Sequence, residues 1–432
     1  MELALLLLFL ALHPLAAVGV RRGTGVEDFV VAGRSSRPGL GALSLLATML
    51  GASAVIGTAS LASRYGWGAF VWLGSGVLGL GLLALLVHRV PFEKSLSLPD
   101  MLGKAGGNTV KWVSALVILP AWVGIVGAQL SAAGRLGAPF ADAPFVVVAG
   151  ASTLAIGLYV VVAGQRGVMR TDRGQIFLLI FLLLALLFGL QETDVPPLEA
   201  PLPLEDLPPS LFFDILLGAG FAFFIGPDIY SRLFTLPTPK ARRRTLLYAS
   251  VGLLLGAFLI TAVGVLSRPY LAPGEGDSLL VLVPTKLWGP WGGRIISLGV
   301  LAAVLSSADT CLLTAATILS VDILNSRRTK TVRISAALLA LVSLAIALWF
   351  GDVIKTLLLA YTLYTCGLAV PMVSALFLHR PLPTITLRAT LLVGGILGLA
   401  GTFLAWSFIV PIAVGSATAV AVVGTVVGKT RV

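Results

Sequence analysis

A succession of apolar runs, each about 20 residues long and separated by short basic clusters, constrains this chain more than any other feature. A run of that length matches the hydrocarbon thickness of a bilayer, and repeated runs leave no room for a conventional soluble core. Composition agrees: 57% of the residues are hydrophobic and only 11% charged, with a mean hydropathy of +1.01. The expectation is an all-α integral membrane protein. A formal net charge of +11 raises nucleic acid as a partner, but the basic residues sit between apolar spans and form no basic domain. A lipid surface is the partner they fit. Cys311 and Cys366 both lie inside predicted spans, and His13, His88 and His379 are scattered, so neither a disulfide framework nor a metal-ligand set is indicated.

About thirteen spans are predicted, near residues 2–20, 40–63, 67–90, 108–133, 143–164, 174–191, 210–236, 245–267, 292–321, 332–350, 354–379, 387–408 and 410–427. The first lacks a basic residue before its apolar run and has Arg21 and Arg22 after it, which reads as an anchor rather than a cleaved signal. With the N-terminus outside and the C-terminus inside, twenty-four of the thirty Lys and Arg fall on the cytoplasmic side, including Arg232 and the cluster after it. The longest outside loop, 191–210, holds five acidic residues and no basic one. A plasma-membrane location is expected.

Two spans are interrupted. The second carries Gly51, Ala52 and Ser53 mid-span, and the seventh carries Gly226 and Pro227 followed by Asp228. Glycine permits unwinding, and proline removes a backbone donor. Each break lies in the first helix of a five-helix block, and five is odd, so the two blocks run through the bilayer in opposite senses. Broken helices in corresponding positions of an inverted repeat point to a transport site near the midplane. The predicted organisation is an N-terminal span and loop at 1–39, a first repeat at 40–191, an acidic, proline-rich outside loop at 192–209, a second repeat at 210–380 and two further helices at 381–432.

The ninth span holds a polar island, LAAVLSSADTCLLTAAT at 301–317, in which Ala303, Ser306, Ser307, Thr310, Thr314 and Thr317 share one helical stripe beside Asp309. Two readings stand at this point: hydroxyls bonded back to their own helix, or hydroxyls aimed at a partner. Four segments then resemble the sodium/solute symporter family, whose members carry proline, pantothenate, sugars, iodide and monocarboxylates. They are EDFVVAGRS at 27–35, YVVVAGQRGVMRTDRGQ at 159–175, GPDIYSRLFTLPTPKARR from Gly226, and AAVLSSADTCLLTAAT from Ala302. Together they lie in the family's order over roughly residues 27–380.

The resemblance implies a LeuT-like core of five plus five helices and Na+ as coupling ion. Carried over by motif, Na+ is held by the carbonyls of Ala47 and Leu50, the carbonyl of Ala303 and the hydroxyls of Ser306 and Ser307. The carbonyls of residues 47 and 50 would normally accept bonds from residues 51 and 54, and unwinding at Gly51 leaves them free. Asp172 is implied on the ion's route to the cytoplasm, or else pairs with Arg170 or Arg173. Asp228 is expected to cap the second half of its broken helix, and Asp309 to bond within the bundle. Ala54, Ala219, Ala222, Phe223 and Tyr361 are the candidate solute contacts, with Phe224 and Tyr364 nearby and Arg64 at the outer mouth.

The function this predicts is Na+-coupled symport of a small organic solute, an amino acid or monocarboxylate, by alternating access. A proton-coupled or uncoupled carrier on the same fold is the alternative. A transporter-like sensor is disfavoured by the five residues left after the last span, and no obligatory protein partner is evident. No phosphate-binding loop or paired catalytic groups appear, so the chain is not expected to be an enzyme.

Overall fold

A computed structural model describes residues 2–15, 23, 25–90, 92, 95–199, 203–350, 353–377, 382–404 and 408–429. Sixteen helices run through them: α1 (Glu2–Leu15), α2 (Val26–Val31), α3 (Pro38–Met49), α4 (Ala52–Tyr65), α5 (Val71–Leu86), α6 (Leu98–Gly106), α7 (Asn108–Ala141) and α8 (Phe145–Gln191). After the acidic loop follow α9 (Pro209–Ile225), α10 (Pro227–Leu233), α11 (Pro239–Ser267), α12 (Leu279–Thr317), α13 (Thr329–Phe350), α14 (Val353–Phe377), α15 (Thr384–Phe403) and α16 (Ile409–Lys429). Eight helical runs among the described residues are long and apolar enough to cross a membrane. The tract Gly276–Ile323, which contains α12, is the most deeply buried of them.

Both predicted breaks are present. At the first, Leu50 N donates to Leu46 O to close α3, and Val55 N donates to Gly51 O to open α4. The last carbonyls of α3 therefore face out of a helix end in the middle of the protein. At the second, Gly226 is extended (φ −58°, ψ 120°) and Pro227 starts α10, where a missing N–H costs nothing. The halves α3, α4 and α10 pack against α12, so the polar island meets both interruptions.

Three expectations change. Residues 165–173, read as a loop, continue α8, because the chain turns at Gly164 alone (φ 59°, ψ −170°) and resumes its helix. The outside loop ahead of residue 292 begins α12 instead, with its non-helical point at Trp288 and Gly289. Arg232, counted among the cytoplasmic loop charges, is fully buried in α10, at 0% exposure. A charge count cannot separate a residue at the end of a half-helix from one in the loop that follows. The predicted His379 and the loop ends at 21–22, 380 and 431 lie outside the described residues.

The end of the protein that carries the basic clusters is tied shut. Arg166 donates to Asp28 Oδ1 (2.7 Å), and Arg34 joins Glu27 (2.7 Å) to the carbonyls of Ser95 (2.8 Å) and Phe234 (3.3 Å). Lys111 lies 3.4 Å from Asp322 and 3.7 Å from Asp100, and Arg242 donates to the carbonyls of Leu233 and Leu236. EDFVVAGRS is thus a strap that joins α2 to α8 and to the end of α10.

Gly164 sits where only glycine is at ease, and a Cβ there would meet the Phe29 carbonyl at 2.8 Å. Gly164→Ala is expected to destabilise the fold by about 1–3 kcal/mol, read as a lower thermal midpoint of the detergent-solubilised protein, whereas Gly174→Ala, whose Cβ meets nothing within 4 Å, leaves the midpoint unchanged.

Candidate functional site

The hydroxyls of α12 divide as their positions dictate. Thr310 donates to Ser306 O (3.1 Å) and Thr317 to Leu313 O (2.8 Å), the bonds hydroxyls make to their own helix. Ser306 and Ser307 reach outward. Ser307 donates to Thr48 O at 2.9 Å and approaches Ala47 O at 3.4 Å. Those are carbonyls stranded at the end of α3. Gly51 makes the approach possible, since a Cβ there would collide with the Ser307 side chain.

Ser306 turns the other way and donates to Asp172 Oδ1 at 2.6 Å. The other carboxylate oxygen of Asp172 accepts from Ser44 (2.5 Å) and from Arg232 (3.2 Å). Arg232 completes its set with Ser44 Oγ (2.9 Å), Ser231 Oγ (3.1 Å), Thr48 Oγ1 (3.4 Å) and the Thr310 hydroxyl. Asp172 and Arg232 are both at 0% exposure. The sequence expectation that Asp172 pairs with Arg170 or Arg173 is therefore corrected, because those two side chains are exposed on the far side of α8. Its partner lies 60 residues on.

Asp309 bonds within the bundle as expected, and its partner is His13 Nε2 at 2.7 Å, with the imidazole packed 4.4 Å from the Tyr159 ring. Nothing in the sequence joins two residues 296 apart. A histidine in an apolar helix was the available signal.

A cavity of about 40 Å³ lies between the two breaks and α12. All five predicted solute contacts, Ala54, Ala219, Ala222, Phe223 and Tyr361, line it, together with Thr48 and Ser307. Phe224 points instead into the core, at 1% exposure. Sequence reasoning missed Trp72, Trp122 and Gln129 in the wall, whose helices carry no motif. Asp228 does cap α10, accepting from its own N–H and that of Ile229, and it also opens onto the cavity.

Trp72 also lines a second, larger space of about 340 Å³ whose walls include Ser60, Arg64, Leu211, Gly276 and Asp277. This vestibule lies at the end that carries the acidic loop. There Arg64 stands 3.5 Å from Glu205, and Ser60 donates to Asp277 (2.5 Å). On the opposite side of the breaks, the space beside Gln165, Pro227 and Thr314 is about 10 Å³, no more than one water needs. The larger space lies on one side of the cavity, behind Trp72, and the other side is closely packed.

The sodium:solute symporter family matches residues 29–192, which contain the strap from Phe29 on, the first break and Asp172. Over those residues the chain is similar to the sodium:solute symporters. It is 26% identical over 334 residues to the sodium/pantothenate symporter of Escherichia coli (strain K12), across 71% of this chain and 68% of that one. Its fold is that of a Na+-coupled sialic acid symporter solved in a substrate-bound outward-open state that reveals a novel Na+ site, with a TM-score of 0.81 at 18% identity over 98% of this chain and 97% of the other. A manganese transporter of Eremococcus coleocola, in complex with an aromatic bis-isothiourea substituted compound, superposes with a TM-score of 0.63 at 13% identity over 94% and 96%. These likenesses establish an all-α, LeuT-like fold.

Removing one member of a buried ion pair strands the other charge, at a cost of about 3–5 kcal/mol. Arg232→Met and Asp172→Asn are each expected to lower the thermal midpoint strongly, and the double variant to lie above the sum of the two losses, as measured on purified protein in one detergent.

Proposed function

We propose that this protein couples inward movement of Na+ to uptake of a small organic solute by alternating access across the plasma membrane, with the N-terminus outside and the C-terminus in the cytoplasm. The observation that carries the reading is the Ser307 hydroxyl held against the stranded carbonyls of α3 beneath a glycine that leaves space for it. Oxygen-only donors at a helix C-terminus favour a hard monovalent cation and release it again. The family relationship and the Na+-coupled neighbours support Na+ as that cation.

In this reading Ala47, Leu50 and Ala303 contribute carbonyls, while Ser306 and Ser307 contribute hydroxyl lone pairs. Ser306 already gives its proton to Asp172, which leaves its oxygen available. Arg232 would repel a cation were it alone, but the Asp172 carboxylate neutralises it at 3.2 Å. Asp172, bonded to Ser306, then stands next to the ion and on its release route. A cation bound across α3 and α12 fixes the unwound turn at Gly51, which also forms one wall of the solute cavity. Solute binding is thereby linked to Na+ binding without contact between them.

One charge moving through ~100 mV supplies roughly 2.3 kcal/mol, and a tenfold Na+ gradient adds about 1.4 kcal/mol. Together they concentrate a neutral solute roughly several hundredfold. Opening the closed end requires the strap and the Lys111 cluster to separate.

Uptake of radiolabelled amino acids, short organic acids and pantothenate into proteoliposomes, with Na+ outside and K+ inside, tests the reading. Ser307→Ala and Gly51→Ala are each expected to raise the Na+ concentration for half-maximal uptake by about ten- to a hundredfold. Uptake that is equally fast with K+ on both sides would remove Na+ from the mechanism.

A further inference from the structure

The central cavity has one charged side chain among its described lining residues, and that side chain is an acid. Asp228 is half-buried and turned to the cavity. Its two backbone bonds occupy only part of the capacity of a carboxylate for about four. The nearest basic group along its helix, Arg232, is taken up by Asp172 and four hydroxyls. Arg232 acts on it only through space, so the carboxylate keeps free acceptor capacity toward whatever enters.

Around it stand aromatic faces. Trp122 meets Tyr364 edge to face at 4.7 Å, and Tyr364 meets Tyr361 at 6.0 Å, while Trp72 and Phe223 complete the wall. Two polar atoms of that wall have no partner: Trp122 Nε1 and Gln129 Oε1, on residues only 1% and 2% exposed. An unpartnered buried acceptor and an unpartnered buried donor at one cavity each carry a desolvation cost that a bound ligand would relieve.

We infer that the solute carries a positively charged nitrogen, seated between Asp228 and the aromatic faces of Trp122, Tyr361 and Tyr364. This assignment rests on the carrier reading above and narrows it. Carboxylate plus π-faces is the arrangement that holds an ammonium group in a desolvated site, and it opposes a simple carboxylic acid, whose charge Asp228 repels. Gln129 Oε1 accepts a further N–H of a primary or secondary amine, and Trp122 Nε1 donates to an oxygen of the same solute. A cavity of about 40 Å³ limits the solute to a compact amine or amino acid. Pantothenate and sialic acid, the solutes named for two similar proteins, carry a carboxylate and no ammonium.

Trp72 and Trp122 report occupancy directly. The full-length protein in detergent, with Na+ present, is titrated by intrinsic fluorescence with alanine, proline, choline and, as nitrogen-free or anionic counterparts, lactate, pantothenate and sialic acid. At least one ammonium-bearing probe is expected to bind and the three anions not to. Asp228→Asn is expected to weaken that probe about ten- to a hundredfold, with Asp228→Glu restoring much of the loss. The Na+-induced fluorescence change serves as the check that each variant is folded. Silence from every ammonium-bearing probe, binding of lactate as tight as that of alanine, or an affinity unaltered in a folded Asp228→Asn protein overturns the assignment. Na+-driven uptake of an anion in the same preparation would retain the carrier and discard the ammonium solute, whereas ammonium binding with Na+-independent uptake would retain the ammonium solute and discard the Na+ coupling.

Discussion

One buried ion pair ties together the helices on which this site depends. Asp172 on α8 and Arg232 on α10 meet with hydroxyls of α3 (Ser44, Thr48) and α12 (Ser306, Thr310). An isolated charge at this depth would cost several kcal/mol. Here each is bonded to the other and to hydroxyls, so the penalty is met only when the four helices are in register. The pair thus acts as a specificity device: it selects one arrangement of two half-helices that apolar packing alone would leave free to slide.

Helix breaks in a membrane interior carry a similar demand. A helix end exposes carbonyls or amides that lipid cannot satisfy, so irregular backbone survives only where protein or a cavity receives it. At Leu50–Gly51 the hydroxyl of Ser307 receives the carbonyls. At Gly226–Pro227 the carboxylate of Asp228 receives the amides. Each break is therefore satisfied by a side chain that also borders the solute cavity. Stability and binding draw on the same few polar atoms.

The parts of this arrangement that were legible in the sequence are those governed by local rules. Apolar length gave the all-helical membrane fold, Gly51 and Gly226–Pro227 gave the breaks, and period 3.6 gave the polar face of α12. Ala54, Ala219 and Ala222, placed by the resemblance, and Phe223 and Tyr361, placed as aromatics of an apolar wall, do share one cavity. What local rules cannot express is partnership at a distance. Arg232 reads as one more basic residue before a basic loop until Asp172 is placed beside it, and His13 reads as an isolated oddity until Asp309 is. Gly164 was passed over because a single residue in the left-handed region ends one helical direction and starts the next without any stretch of polar sequence.

Among the described residues, Trp72 is the one side chain common to the vestibule and the inner cavity. An indole changes rotamer in picoseconds to nanoseconds when it has room, while collective helix motions that part several ion pairs take microseconds to milliseconds. The two barriers on either side of the cavity accordingly differ in kind: a hinged door against a bolted one. In the proposed carrier, exchange with the vestibule would equilibrate long before the bolted side yields, so that selectivity would be set by occupancy at equilibrium rather than by the speed of entry.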